Sequence, residues 1–398
     1  MNIPYLKHLD IKGRRVLVRA DLNVPVEDGT VIDDSRIEAV LPTLRYILEA
    51  GGRAIIAAHL GRPAAKRDPS LSLHPVADVL GEALGNAPVA FAEDCVGEAA
   101  EKAAARLGDG QCLVLENLRF HAGETGNDPA FADALARLAD LYVNDAFSAS
   151  HRAHASIVGL PSRLPAAAGL LMMRELDSLE RHLGEPQHPY VAIFGGAKAE
   201  TKIPLIEDLR GRADRILLGG VIATTFLKAQ GDGVGRSKVG GEKNLEMARS
   251  LLRQRNGAEI ILPLDVVVAR EMRGDADAEI VSVDDVAQDM MILDVGPETI
   301  RRYREAIGER GTVVWNGTLG AAELEPFARG SYELAAAITE RTSRSGLVSV
   351  AGGGDTIAFI RGHGFLERFT YASMAGGAFL KWLSGEELPG VSALRQQT

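Results

Sequence analysis

Four arginines stand just beyond short apolar runs: Arg36 in Asp34-Ser35-Arg36, Arg62 in His59-Leu60-Gly61-Arg62, Arg119 in Asn117-Leu118-Arg119, and Arg152 in His151-Arg152. A guanidinium presents paired N–H donors that match phosphate or carboxylate oxygens, so together they suit a small, multiply anionic ligand. Asp21 and Asn23, behind the first run, would orient its hydroxyl or carboxylate. Any one of these arginines could equally be a solvated surface charge. Their recurrence after successive strand ends favours a site. His59, His151 and His154 fall in the same turns. No carboxylate or cysteine beside His151 and His154 completes a metal ligand set, so bonding to a ligand or a turn is the expected role.

A second set of residues is glycine-rich. Gly195-Gly196-Ala197-Lys198 follows the apolar run 190–194 and leads to Lys202, and Gly352-Gly353-Gly354-Asp355-Thr356 follows 347–350. Glycines after a strand let backbone N–H groups approach phosphate, and lysines four apart can share one helix face. The first loop lacks the GxxxxGK[ST] order of a Walker A motif. Asp355 could hold Mg²⁺ beside nucleotide phosphates, or it could simply cap the helix that follows. Gly219-Gly220 would let a flat adenine ring approach the backbone, and Asn316-Gly317 and Glu323 complete the surface, Glu323 as an acceptor for ribose hydroxyls. A structural turn is the alternative at each.

The elements that must position these residues are legible as alternation. Runs at 16–20, 54–57, 112–115 and 141–144 read as strands separated by helix-period stretches, and the pattern resumes at 190–194, 215–218, 259–262, 312–315 and 347–350. This predicts an α/β protein of two doubly wound parallel-sheet domains joined by a helical hinge, with ligands beyond the carboxyl ends of the strands. The helical stretch 169–183, closed by Gly184, Pro186 and Pro189, marks the boundary.

The chain's 398 residues, 46% hydrophobic and 25% charged, allow two full cores. A net charge of −10 argues against general affinity for nucleic acid. Apolar runs too short to span a bilayer and the lack of a signal-peptide core predict a cytoplasmic protein without membrane attachment. Cys95 and Cys112 show no zinc-finger spacing and read as packing residues.

The motifs RVLVRADLNVP, DDSRI, AHLGRP, ENLRF, HRAHAS, FGGAK with TKI, LGG, WNG and GGGDT occur in the order found in phosphoglycerate kinases, which the chain resembles from about residue 5 to about residue 395. The resemblance implies reversible phosphoryl transfer between 1,3-bisphosphoglycerate and Mg-ADP, giving 3-phosphoglycerate and Mg-ATP, by a monomer. It implies a substrate domain over 1–172 to which 380–398 returns, a hinge over 173–189 and a nucleotide domain over 190–379. It assigns 3-phosphoglycerate to Asp21, Asn23, Arg36, His59, Arg62, Arg119 and Arg152. It assigns the nucleotide to Gly196, Ala197, Lys202, Gly219, Gly220, Asn316, Glu323, Gly353, Gly354, Asp355 and Thr356, with Asp355 on Mg²⁺. On that reading the catalytic set is expected to be Arg36, Lys198, Lys202, Gly353 and Gly354. Another acyl-phosphate kinase, or a binding protein on the same fold, is the rival reading.

The chain departs from the family pattern in places. Thr318, Ala321 and Ala322 replace the usual Pro, Val and Phe, which would enlarge the nucleotide pocket, while Ile292 replaces a usual Gly and partly refills it. Tyr371, Met374 and Ala375 stand where His, Thr and Gly are common near the hinge.

Overall fold

The computed structural model describes residues 3–85 and 88–396. The chain divides into two units: one runs up to Asp177 and takes in the chain from Glu387 onward, and the other is Ser178–Glu386. Among the described residues no helix is long and apolar enough to cross a membrane.

In the first unit, β1 (Arg15–Arg19), β4 (Arg53–Ala57), β5 (Val89–Ala92), β6 (Cys112–Leu115), β7 (Leu141–Asn144) and β8 (Ala166–Ala168) form one parallel sheet in the order β5-β6-β4-β1-β7-β8. A short hairpin, β2 (Val26–Glu27) with β3 (Thr30–Val31), precedes the helix Ser35–Glu49. Strands β6 and β7 are buried along their whole length, as expected when helices cover both faces. Val16, Val18, Ile56 and Val114 centre a core completed by Leu44 and Ile47 of that helix. Strand order reverses between β1 and β7, so the loops leaving these two strands diverge and open a crevice.

The second unit repeats the plan. β9 (Tyr190–Phe194), β10 (Arg215–Leu218), β11 (Glu259–Ile261), β15 (Thr312–Asn316), β16 (Val348–Gly352) and β17 (Tyr371–Ser373) make a parallel sheet ordered β11-β10-β9-β15-β16-β17. Its reversal lies between β9 and β15. A separate antiparallel sheet, β13 (Glu279–Ser282), β12 (Asp265–Ala269) and β14 (Met291–Val295), has β12 in the middle. Buried Asp265 accepts the N–H groups of Glu298 (3.0 Å) and Thr299 (2.7 Å), so its carboxylate caps the helix Pro297–Ile307 and ties that helix to the small sheet.

Some expectations move. Residues 173–177 stay with the first unit, because the helix Leu170–Leu179 is docked there through Leu170 N–H on Thr43 and Met172 N–H on Asp145, each 3.0 Å. Residues 380–386 stay with the second unit, because the helix Gly376–Ser384 packs on Ala199–Leu209 and Leu383 O accepts from Arg212 (3.0 Å). The return to the first unit therefore begins at Glu387, not 380. The helix Pro389–Arg395 completes it, with Gly390 N–H on Ser150 O at 2.9 Å. Strands β5, β8, β12, β13, β14 and β17 were not expected from sequence patterning. β8 is three alanines, a poor strand former held by its pairing to β7.

Candidate functional site

The loops leaving the first sheet hold one another by a chain of hydrogen bonds. Asp21 Oδ1 accepts from Asn23 N–H (3.3 Å), Asn23 Oδ1 from Gly61 N–H (2.7 Å), and Gly61 O from Arg119 Nη1 (2.6 Å). The ends of β1, β4 and β6 are thus locked together. Arg36, in the first turn of Ser35–Glu49, and Ser148 both donate to Asp21 Oδ2. Asp21 and Asn23, expected to orient a ligand, therefore also hold Arg36 and the Gly61 turn.

Beneath them lies an arginine that motif reading passed over. Arg19, in β1, is fully buried, and it donates from Nε to Ser156 Oγ (2.8 Å) and from Nη2 to His59 Nδ1 (3.0 Å). A guanidinium can only donate, so His59 Nδ1 accepts and the ring proton belongs on Nε2. Burial, then the nearby Arg19, Arg119 and Arg152, holds the His59 pKa well below the usual histidine range. His59 is a neutral donor here. Burial and then Arg152 and Arg19 depress Arg119 to about 10, and burial followed by Arg62 and Arg19 lowers Arg152. Buried Glu124 offsets some of this charge, accepting from Ser156 N–H (2.9 Å) and Ser156 Oγ (2.7 Å).

His151 uses both ring nitrogens, Nδ1 on Ser148 O (2.8 Å) and Nε2 accepting from Arg152 Nε (3.0 Å). His154 Nδ1 lies 3.7 Å from Glu124 Oε1, and burial followed by Arg119 and Arg19 lowers its pKa to about 4. The pair is a turn and network element. Arg19 carried a signal in the sequence: a charge inside an apolar run that must be buried on both faces needs a dedicated partner. Ser156 closes the HRAHAS motif, and Glu124 and Ser148 carried no signal.

In the second unit the loops after β9 and β15 interlock. Lys202 is buried in the helix Ala199–Leu209 and donates to Gly195 O (2.6 Å) and Asn316 O (3.2 Å). Burial lowers its pKa to about 8, with exposed Lys198 adding to the effect and Asp355 opposing it. Lys198 is the residue before this helix, so the two lysines do not share an exposed helix face as their spacing suggested. One is exposed and the other buried.

Gly219 and Gly220 serve packing. A Cβ at Gly219 would sit 2.6 Å from Leu319 Cα, and one at Gly220, whose φ is +54°, would sit 2.7 Å from Gly196 N. The close approach expected for an adenine ring is thus already made by the protein's own backbone. The N–H groups of Gly196 and Gly220 are bonded to Thr318 O (2.7 Å) and Leu319 O (2.6 Å).

The helix Gly354–Gly362 starts after Gly353 (φ +96°), where a Cβ would meet Asn316 Nδ2 at 2.6 Å. The first helical bond there is Ile357 N–H on Gly353 O (3.0 Å), which leaves the N–H groups of the first turn at the open end. Asp355 is exposed in that turn, and Gly353, not Asp355, occupies the cap position. Thr356 is buried and accepts Gly317 N–H at 2.6 Å, while Asn316 Nδ2 donates to Gly352 O at 2.6 Å.

These loops wall a cavity of about 780 Å³ whose lining includes Gly196, Ala197, Gly220, Glu323 and Asp355, together with the four departures Ile292, Thr318, Ala321 and Ala322. Strand β14 delivers Ile292, so the antiparallel sheet decides the floor of the cavity. Ser237, Lys238, Met272 and Met291 also line it. Their surrounding sequence has no motif that would single them out. The volume is ample for a nucleotide-sized ligand.

The family model for phosphoglycerate kinase matches residues 6–386. A phosphoglycerate kinase of Granulibacter bethesdensis is 51% identical over 397 residues, covering 99% of this chain and 100% of the relative. One from Methylorubrum populi is 55% identical over 388 residues, covering 97% and 96%. The solved phosphoglycerate kinases of Coxiella burnetii and Pyrococcus horikoshii align with TM-scores of 0.85 and 0.87 at 37% and 32% identity, each covering 99% of both chains.

Proposed function

The chain belongs to the phosphoglycerate kinase family and is a glycolytic kinase, and from that premise we propose how its own residues divide the phosphoryl transfer. The reaction passes the group between the acyl phosphate of 1,3-bisphosphoglycerate and ADP, giving 3-phosphoglycerate and ATP. The observation that carries the assignment is the surplus of positive charge on the first unit. Arg19, Arg119 and Arg152 act on neutral His59, Arg62 acts on Arg119 and Arg152, and Arg36 stands on Asp21, with Asp21 and Glu124 as the acidic partners described there. A surplus of that kind is relieved by a compact polyanion, and 3-phosphoglycerate brings a phosphate and a carboxylate. His59 Nε2–H and Arg62, Arg119 and Arg152 hold the phosphate end, and Asp21 and Asn23 orient the remainder.

The nucleotide takes the cavity of the second unit. Its base lies toward Ile292, Thr318, Ala321 and Ala322, its ribose toward Glu323, and its phosphates toward Gly196, Ala197, Lys202 and the start of Gly354–Gly362. Gly219, Gly220, Asn316 and Thr356 shape that surface through the bonds and close approaches already described. The exposed carboxylate of Asp355 fits a hard cation that keeps most of its other oxygens from phosphate and water, so Asp355 would hold Mg²⁺. The ion would supply charge neutralisation at the nucleotide phosphates.

Arg36, Lys198, Lys202 and the N–H groups of Gly353 and Gly354 stabilise the moving phosphoryl, whose loose transition state demands alignment and charge more than covalent help. The carboxylate of 3-phosphoglycerate is ionised at neutral pH and attacks without a general base. The protein acts in the cytoplasm as a monomer, with neither nucleic acid nor membrane as a partner. Purified chain given 1,3-bisphosphoglycerate, ADP and Mg²⁺ should form ATP in a coupled assay. Turnover of another acyl phosphate with none of 1,3-bisphosphoglycerate would refute the substrate assignment.

A further inference from the structure

Strands β5 and β6 are parallel neighbours with Ala92 opposite Leu115, so the loops leaving them run side by side. One carries Asp94 and Cys95, the other His121, and among the described residues a ligand atom of each lies within 4.8 Å of the other two. His121 Nε2 and Asp94 Oδ1 are 2.7 Å apart, and Cys95 N–H donates to the same oxygen at 2.7 Å. The Phe131 ring packs on the His121 ring with centroids 5.3 Å apart, which fixes the imidazole's direction. Cys95 is fully buried, whereas the side chains of Asp94 and His121 are 39% and 33% exposed. The thiol is thus the buried member of the cluster, and Asp94 and His121 are the members that meet solvent.

Imidazole nitrogen, thiolate sulfur and carboxylate oxygen are the donor set of a zinc-class cation, and three protein ligands leave a fourth position for water. A thiolate disfavours Mg²⁺ and Ca²⁺, which take oxygen ligands. We infer that Asp94, Cys95 and His121 form a binding site for a borderline divalent transition-metal cation of the Zn²⁺ class, separate from the nucleotide's metal. The cation takes the place of the proton between His121 Nε2 and Asp94 Oδ1, that proton moving to Nδ1, and the Cys95 thiol loses its own to solvent. One proton is therefore released for each cation bound. Opening the nitrogen-to-oxygen gap from 2.7 Å to the ~3.3 Å that tetrahedral bonds of about 2.0 Å require is within reach of two half-exposed side chains.

The test uses Co²⁺ as the probe on full-length protein stripped with chelator, followed by displacement with Zn²⁺. Expected are one Co²⁺ per chain with a thiolate-to-cobalt charge-transfer band and tetrahedral d–d bands, and about one proton released, read by calorimetry in buffers of different ionisation enthalpy. Cys95→Ser should abolish the charge-transfer band, and His121→Asn should weaken binding at least about tenfold. Cys112→Ser, which alters the other buried cysteine, should change neither. Retained kinase turnover shows that each variant is folded, and Asp94→Asn supplies a third ligand variant should Cys95→Ser fail to fold. No thiolate band in the wild type, a band that survives Cys95→Ser, or one lost in Cys112→Ser would overturn the site.

Discussion

Lys202 is a cation that the fold makes reluctant to be one. Burial brings its pKa to about 8, and its protonated form is the one that can meet a phosphoryl group. At pH 7 about nine-tenths of the ligand-free protein carries the charge, and at pH 9 about one-tenth does, so kcat/KM for ADP should fall about tenfold across that interval. The limb belongs to free enzyme. Bound nucleotide phosphates favour the ammonium, so the corresponding limb in kcat should lie at higher pH.

Stability has the opposite sign. A lysine whose folded pKa lies below the unfolded value of 10.5 costs stability wherever both states are protonated, below about pH 8, and that cost is relieved as pH rises toward 10.5. The cost is on the order of 3 kcal/mol. Lys202→Met removes it but leaves the buried Gly195 O without its donor, at about 1–3 kcal/mol, while Asn316 O keeps the N–H of Gly195 at 3.1 Å, so the two effects roughly cancel. The variant should therefore unfold within about 2 kcal/mol of wild type, while turnover falls by about 10²-fold or more and the alkaline limb disappears. Coupled ATP formation from pH 6.5 to 9.5, with urea denaturation of both proteins, measures all three. A wild-type kcat/KM for ADP that stays level through pH 9.5, or an alkaline limb retained in Lys202→Met, would refute the role given to the buried ammonium.

Arg36→Met should lower turnover by about 10²-fold or more and leave ADP affinity nearly unchanged, because the residue belongs to the first unit; equal turnover would remove it from the mechanism. Asp355→Ala should weaken Mg-nucleotide binding measured by calorimetry and spare 3-phosphoglycerate binding, and the reverse pattern would exchange the two ligands between units. With Thr318, Ala321, Ala322 and Ile292 lining one cavity, GDP should replace ADP with less than about a 10²-fold loss in kcat/KM; a preference on the order of 10³-fold would show that Ile292 closes the space the alanines open.

The two parallel sheets were readable because strands buried on both faces appear as unbroken apolar runs, as in Cys112–Leu115 and Tyr190–Phe194. Strands that break this rule were not. β5 is only partly buried, β8 is alanine throughout, and the antiparallel sheet carries exposed residues along β13, so in each case pairing outweighs local preference. Arg36, Arg62, Arg119 and Arg152 could be found because they follow strands in the chain, and order along the chain decides which loops leave the carboxyl edge of a parallel sheet. Their protonation could not. Whether Lys202 is buried beneath its own loop's carbonyl, which nitrogen of His59 carries its proton, and that Arg19 reaches Glu124 through Ser156 all depend on burial and on neighbours distant in the chain, 114 residues away for Lys202 and Asn316, 40 for His59 and Arg19, and 137 for Arg19 and Ser156. Cys95 makes the same point. Its spacing to Asp94 is local, but His121 arrives only because β5 and β6 pair, and pairing is a property of the folded sheet that no ligand spacing in the chain encodes.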